Sequence, residues 1–375
     1  MAGLGTVARM LPHPELADAW RTARPEPALL HLDSAAAGRS SSAVLAAVTA
    51  HLEREAAIGG YVAADEAAPR LDRVRSDVAG LLGHAPEDTV FTESAVSALA
   101  VLLEAWRLPA GSTVLVSPGE YGPNLEQFRR WGLVVEPMAT ADAVGHVDLD
   151  ALQTRLETSP PALVHLCHLG SHRGVVQPAA EVVTIARRAG VPVVVDAAQA
   201  LGQVDSALGA DAVYATSRKW LAGPRGVGVL AVRPGLLDTP TSTLESAEAF
   251  VAGRIGLGVA VAEHLALGPD RVRARLAAQG RATREAVDGV AGWRTAEPHD
   301  EGSATTTLAP PSGWTDAQVE TARERLLVEQ RVLVTLAAAW RAPLEASGTV
   351  LRVSPHLDAT VADLDELARA LVAVS

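Results

Sequence analysis

The chain has 375 residues, 48% of them hydrophobic and 20% charged, enough to bury a full core and to divide into more than one lobe. Its formal charge of −12 argues against nucleic acid or an anionic membrane as partner, and its single cysteine, Cys167, excludes an internal disulfide and any multi-cysteine metal site. With no apolar run of about 18 residues and no N-terminal leader pattern, a cytoplasmic soluble protein is expected.

Along the chain, apolar periodicity predicts helices over residues 41–57, 67–83 and 94–107, the last preceded by a short strand, VFT. The strand-like runs STVLVS, GLVVEPM and ALVHLCHL follow, then a helix over 179–189, then VPVVVDAA, DAVYATS and GVGVLAV. Unbroken apolar runs bounded by turn residues read as buried parallel strands, and their alternation with helices predicts an α/β sheet. A helical stretch over 246–288 is interrupted at Gly268-Pro269. Beyond it, GWRT, SATTTLAP, RVLVTL and LRVS read as strands, with helices over 315–329 and 361–374. The expected division is residues 1–24 as an N-terminal segment packing with the small domain, 25–260 as the large domain and 261–375 as a smaller α+β domain.

The chemistry gathers around one residue. The chain has 31 arginines and a single lysine, Lys219. Arginine supplies the same charge at most positions, but only a primary amine condenses with an aldehyde and afterwards shuttles a proton. A composition that has drifted to arginine and kept one lysine marks that lysine as chemically required, against the bland reading of a solvated surface residue. It lies in TSRKWLAGPRGVG, 23 residues beyond Asp196, which ends the apolar run VPVVV. A carboxylate at the carboxyl edge of a central strand sits where open α/β sheets bind ligands. There it meets a cationic or donor partner, such as a protonated ring nitrogen, or else it caps the next helix.

Gln199, three residues on, is a further donor. Thr216 and Arg218 flank Lys219 with a hydroxyl and a guanidinium suited to a phosphate. A helix opening at Ser94-Ala95-Val96 offers a second anion cradle, with Ser94 as cap and the amides of Ala95 and Val96 as donors. In VSPGEYGPNLEQF, Tyr121 either stacks on a flat ring or is a boundary tyrosine. Asn124, the only asparagine, is expected to cap the next helix. Arg352, in the strand LRVS, meets a carboxylate of either the protein or a substrate.

VDAAQALG, followed by Thr-Ser-Arg-Lys and GPRGVG, resembles the signature of the class V aminotransferase family of fold-type I pyridoxal-phosphate enzymes, over roughly residues 30–375. The resemblance implies a large domain with a mostly parallel seven-stranded sheet covered by helices, and a smaller C-terminal α+β domain. It implies pyridoxal 5'-phosphate as cofactor, a small amino acid as substrate, and a homodimer with its sites at the subunit interface. By resemblance, Lys219 bonds the cofactor, Asp196 faces the pyridine nitrogen, Gln199 the phenolic oxygen and Tyr121 the ring. Ala95, Val96, Thr216 and Arg218 match phosphate contacts, and Arg352 matches the residue that takes the substrate α-carboxylate.

The sequence also departs from the family. Val96 stands where threonine is common, and Arg218 replaces the usual histidine. The segment that reaches a phosphate across the dimer reads Ala247-Glu248-Ala249, whose carboxylate would repel it. The C-terminal half has no cysteine, which a cysteine desulfurase would carry on a loop there, and Cys167 reads as a small core residue. Within the family, LDSAAAGRSS, GEYGPNL and SHRGVVQP look like a branch of carbon–sulfur lyases that split a cysteine sulfoxide bearing a trimethylammonium group. Tyr61 is the candidate partner for that group, with Ser171 and His172 near the substrate. The alternatives are another activity of the family, or a cofactor-binding regulator or scaffold.

Overall fold

The computed structural model describes residues 11–375, and residues 1–10 of the expected N-terminal segment lie outside the described residues. The first half of the chain runs α1 (Pro14–Thr22), β1 (Leu30–His31), α2 (Ser42–Ile58), α3 (Gly60–Leu82), β2 (Thr89–Thr92), α4 (Ala95–Trp106), β3 (Thr113–Val116), α5 (Gly122–Arg130), β4 (Val134–Pro137), α6 (Leu149–Thr158), β5 (Leu163–Cys167) and α7 (Ala179–Arg188). Then come β6 (Val193–Asp196), β7 (Ala212–Thr216), β8 (Gly228–Val232), α8 (Val251–Leu267) and α9 (Pro269–Val287). The last elements are β9 (Arg294–Thr295), β10 (Thr306–Ala309), α10 (Asp316–Val328), β11 (Val332–Leu333), β12 (Thr335–Ala337), β13 (Val350–Val353) and α11 (Val361–Val374).

Seven strands make one sheet in the order β2-β8-β7-β6-β5-β3-β4. Only β8 runs against its neighbours; the other pairings are parallel. Every residue of β5, β6, β7 and β8 is buried, because helices cover both faces, and such strands are apolar throughout rather than alternating. Val193 and Val195 enter one core with Val74, Val182 and Leu257. Val194, between them, enters the other with Leu99, Leu102 and Phe128. Each such side chain stabilises the fold by roughly 1.5–3 kcal/mol on burial. The winding reverses between β3 and β5, since β3 leads outward to β4 and the chain then returns past β3 to β5, β6 and β7. A crevice forms at the carboxyl ends of strands at such a reversal.

The second lobe is an antiparallel sheet, β12-β13-β10-β9, packed on α9, α10 and α11 through Val287, Val319, Leu326, Leu367 and Trp293. Its borders differ from those expected. Leu30 and His31 pair in parallel with Val332 and Leu333, and Asp33 bridges Ser354, so hydrogen bonding ties the chain to the small lobe beyond residue 24. The expected border at 260 falls inside α8, which packs on α2 and α3 and breaks only at Gly268. Two elements also differ in detail. The run RVLVTL splits in two, because its first half pairs with β1 and its second with β13. The helix expected from residue 67 begins at Gly60, since Gly59 at φ 92° sets the break after α2. Among the described residues no single helix is long and apolar enough to cross a membrane.

Candidate active site

A cavity of about 290 Å³ opens where β5, β6 and β7 end and α4 begins. Strand register sets its floor: Cys167 lies beside Asp196, and Asp196 beside Tyr214. Asp196 is 4% exposed. Its Oδ1 accepts from the amide of Ala198 at 2.8 Å across a turn; no helix follows β6, so Asp196 is not the helix cap that the sequence left open. Its Oδ2 accepts from Asn124 Nδ2 at 2.9 Å and from the Tyr214 hydroxyl at 3.2 Å. Asn124 is therefore not a helix cap; it sits in the first turn of α5, and its amide reaches inward to Asp196, Glu120 and Tyr214. His165, inside β5, joins the group through Glu120 and Tyr214.

Lys219 lines the cavity from the turn after β7. Its backbone is held tightly. The amide of Gly38 donates to Arg218 at 2.8 Å and that of Ala222 to Lys219 at 3.0 Å. A Cβ on Gly38 would lie 2.3 Å from the Lys219 carbonyl oxygen, so only glycine fits at that crossing. Burial pulls the Lys219 ammonium down to about 7; Asp196 works against this, and Arg218 and Arg352 work with it. About half of the side chain is then free amine at pH 7, against roughly 0.04% for an ordinary lysine. Labelling of Lys219 by an amine reagent in the cofactor-free protein should accordingly rise with a midpoint near pH 7. Mass spectrometry of the one lysine-containing peptide reads this directly, and a midpoint above pH 9 would contradict it.

Ser94, Ala95 and Val96 also line the cavity, at the N-terminus of α4. Ser94 caps that helix, accepting from the Ser97 amide at 3.0 Å, while the Ser97 hydroxyl accepts from the Ser94 amide at 2.8 Å. The cap leaves the amides of Ala95 and Val96 for a ligand. Strand β8 presses on this turn, since a Cβ on Gly228 would lie 2.5 Å from the Ser94 carbonyl carbon. Gly228→Ala should push the turn outward and weaken cofactor binding by about tenfold or more, through lost charged hydrogen bonds. Fluorescence titration with pyridoxal phosphate checks this; unchanged affinity would separate the turn from the cofactor.

Thr216, Arg218, Gln199 and Tyr121 line the same space. Gln199 Nε2 spends one hydrogen on the Ala35 carbonyl at 2.9 Å, and its Oε1 accepts from Trp220 Nε1 at 3.3 Å, leaving one N–H for a ligand. Arg352 is 1% exposed. It pairs with Asp33 at 3.5 Å and donates to the Ser171 carbonyl. Its Nε has no partner among the described residues, so the structural ion pair leaves one donor unspent. Ser171 lines the cavity with its hydroxyl unpartnered among the described residues. Arg225 and Arg341 complete the wall; sequence reading did not single them out. Four guanidiniums and Lys219 thus face one lining carboxylate, Asp196, a balance that favours an anionic ligand.

Two expected residues lie elsewhere. His172 is buried outside the cavity wall, 3.4 Å from Glu345, and it lines a separate small hollow with Arg173. Burial and then Arg173 push its imidazolium down to about 3, so it is a neutral packing group. Tyr61, the second residue of α3, is 81% exposed and does not line the cavity of this chain. Its place after Gly59-Gly60 starts a helix and points to nothing in the site. Glu248 is likewise exposed, before α8.

Residues 30–303 match the family model of class V aminotransferases. The chain belongs to the class V aminotransferase family. The probable hercynylcysteine sulfoxide lyase of Mycobacterium tuberculosis is 48% identical, over 96% of this chain and 94% of the relative. Isopenicillin N epimerase of Amycolatopsis lactamdurans is 28% identical, over 96% and 100%. Among solved structures, a cysteine desulfurase of Escherichia coli superposes with a TM-score of 0.81 at 22% identity, covering 96% of this chain and 98% of its own. The fold is therefore fold-type I, with a large lobe around a mostly parallel seven-stranded sheet.

Pyridoxal 5'-phosphate is the cofactor of this class V enzyme, and the residues fit it. The α4 amides, Thr216 and Arg218 form a donor set able to hold a phosphate. Asp196 is a carboxylate able to face a protonated ring nitrogen, and Lys219 is an amine able to condense with an aldehyde.

Proposed function

We propose that this protein is a pyridoxal-phosphate-dependent carbon–sulfur lyase that cleaves hercynylcysteine sulfoxide by β-elimination, giving pyruvate, ammonia and an imidazole sulfenic acid that is afterwards reduced to ergothioneine. The observation that carries this reading is the 48% identical relative of that name, matched over nearly its whole length. The site chemistry agrees with it. A persulfide-forming desulfurase needs an accessible thiolate, but Cys167 is the only cysteine. It is 4% exposed, and burial, then Asp196 and Glu120, push its thiol well above the usual range. Elimination needs a base instead, and Lys219 is one.

In this reading the bound cofactor supplies the electron sink that makes the substrate Cα–H acidic. Lys219 then takes that proton, the Cβ–S bond breaks, and its electron pair leaves on sulfur as a sulfenate. Water hydrolyses the remaining three-carbon fragment to pyruvate and ammonia. Arg352 would hold the α-carboxylate and so fix the substrate's orientation with respect to Lys219, which lines the same cavity. With Arg218 on the phosphate, Arg225 and Arg341 remain for a second anion, such as the carboxylate of a betaine. The trimethylammonium end needs an aromatic face or an acid, and exposed Tyr61 is the candidate when a second chain covers α3. Exposed Leu45, Leu52 and Val62 along α2 and α3 are consistent with a homodimer, for which the mass in solution is the check.

Pyruvate release from hercynylcysteine sulfoxide, cysteine and a simple S-alkylcysteine sulfoxide tests the proposal. A strong preference for the hercynyl compound is expected. Equal turnover of the simple sulfoxide would reduce the protein to a general carbon–sulfur lyase, and no pyruvate from any of them would remove the lyase reading altogether.

A further inference from the structure

Behind Asp196 a chain of polar groups is sealed into the sheet. Glu120, His165 and Tyr214 are fully buried, and Asn124 is 1% exposed. Glu120 Oε2 lies 2.7 Å from His165 Nδ1, and His165 Nε2 lies 2.9 Å from the Tyr214 hydroxyl. That hydroxyl is 3.2 Å from Asp196 Oδ2, and Asn124 Nδ2 is 3.0 Å from it. We propose that His165 is a positioning residue: held as an imidazolium by Glu120, it turns the single hydroxyl proton of Tyr214 onto Asp196 and keeps Asp196 ionised toward the cofactor ring.

The argument is one of counting protons. The Asn124 amide has two hydrogens for three acceptors, Glu120 Oε1 at 2.8 Å, Asp196 Oδ2 at 2.9 Å and the Tyr214 oxygen at 3.0 Å, and the two nearer carboxylates claim them. The hydroxyl has one proton and two possible acceptors, His165 Nε2 and Asp196 Oδ2. An imidazolium carries hydrogen on both nitrogens. Its Nε2–H donates to Tyr214, and the hydroxyl proton then has only Asp196 to go to. A neutral imidazole facing Glu120 through Nδ1–H leaves Nε2 bare; that nitrogen captures the hydroxyl proton, and Asp196 loses a donor. Glu120 decides between the two states. Burial alone would lower the His165 pKa, yet the charge and hydrogen bond of Glu120, with Asp196 beyond, raise it. Tyr214 stays a hydroxyl, because burial and the two carboxylates raise it well above its ordinary range.

The charge count agrees. Glu120 and His165 cancel, which leaves Asp196 as one negative charge for one protonated ring nitrogen. Without the imidazolium, two buried carboxylates with oxygens within 4.8 Å of each other would face one another with no positive charge between them.

This inference rests on Asp196 facing the ring nitrogen. It is tested on the cofactor-loaded, substrate-free protein by two readouts, the pyridoxal-phosphate dissociation constant and the pH at which bound-cofactor absorbance titrates. Glu120→Gln and Tyr214→Phe each remove one link with little change of shape. Each should weaken cofactor binding by about tenfold, the scale of one hydrogen bond to a charged group, and shift the titration in the same direction. The double variant should do no more than either alone. Multiplying effects, or a Glu120→Gln protein that melts lower with both readouts unmoved, would overturn the relay and leave the network structural. An Asp196→Asn control that also leaves both readouts unmoved would overturn instead the placement of Asp196 on which the relay depends.

Discussion

Lys219→Arg should yield a folded protein whose turnover is lower by at least ~10³-fold, since it loses both the covalent link and the base. The side chain reaches into an open cavity, so the longer arginine is accommodated without disturbing the contacts of Gly38 and Ala222 with the turn. A guanidinium neither condenses with an aldehyde nor gives up a proton at working pH. Two measurements check this. Steady-state rates should fall to background, and borohydride treatment, which fixes the cofactor to the wild-type chain, should leave the variant's mass unchanged. Retention of a few per cent of activity would place the chemistry elsewhere.

Asp196→Asn is the next largest effect, an expected fall of about 10²-fold in kcat. The substitution keeps the shape but removes the charge that holds a ring nitrogen protonated. It also sets an amide among three donors, Asn124 Nδ2 and the Tyr214 hydroxyl on one side and the Ala198 amide on the other, so its nitrogen faces a donor whichever way the new amide turns. Rate measurements beside a thermal melt separate the two consequences: kcat should fall far more than stability. An unchanged kcat in a folded variant would show that this carboxylate does not face the ring.

Much of the site is legible in the sequence because its pieces follow unbroken apolar strands. Asp196 and Thr216 end strands, Lys219 lies three residues past one, and Ser94 opens a helix. Such positions are local facts. Asn124, Glu120, His165 and Tyr214 escape a local reading because, apart from Asn124 with Glu120, their partners lie 18 to 90 residues away. The available hint is compositional: a histidine within ALVHLCHL and a tyrosine within DAVYATS are polar groups inside wholly buried strands, where each must find a partner. The lone asparagine was open to the same treatment as the lone lysine, yet its position near a helix start made capping the obvious role. Tyr61 and His172 show the converse. A neighbouring motif does not say which way a side chain points, and here one lies outside this chain's own cavity and the other lines a separate hollow.

The stretch from Leu30 to Gly38 has a mechanical consequence. At one end it is stitched into the small lobe, through the pairing of Leu30 with Val332 and the contact of Asp33 with Arg352. At the other, Gly38 is wedged against the Lys219 carbonyl. The five peptide units between Asp33 and Gly38 span at most about 17 Å when fully drawn out, a leash with little slack. A swing of the small lobe large enough to tighten this leash tugs on the turn that bears the amine. Arg352 and the turn that bears Lys219 are thereby geared together, and an insertion between those two anchors would uncouple them while leaving every side chain of the site in place.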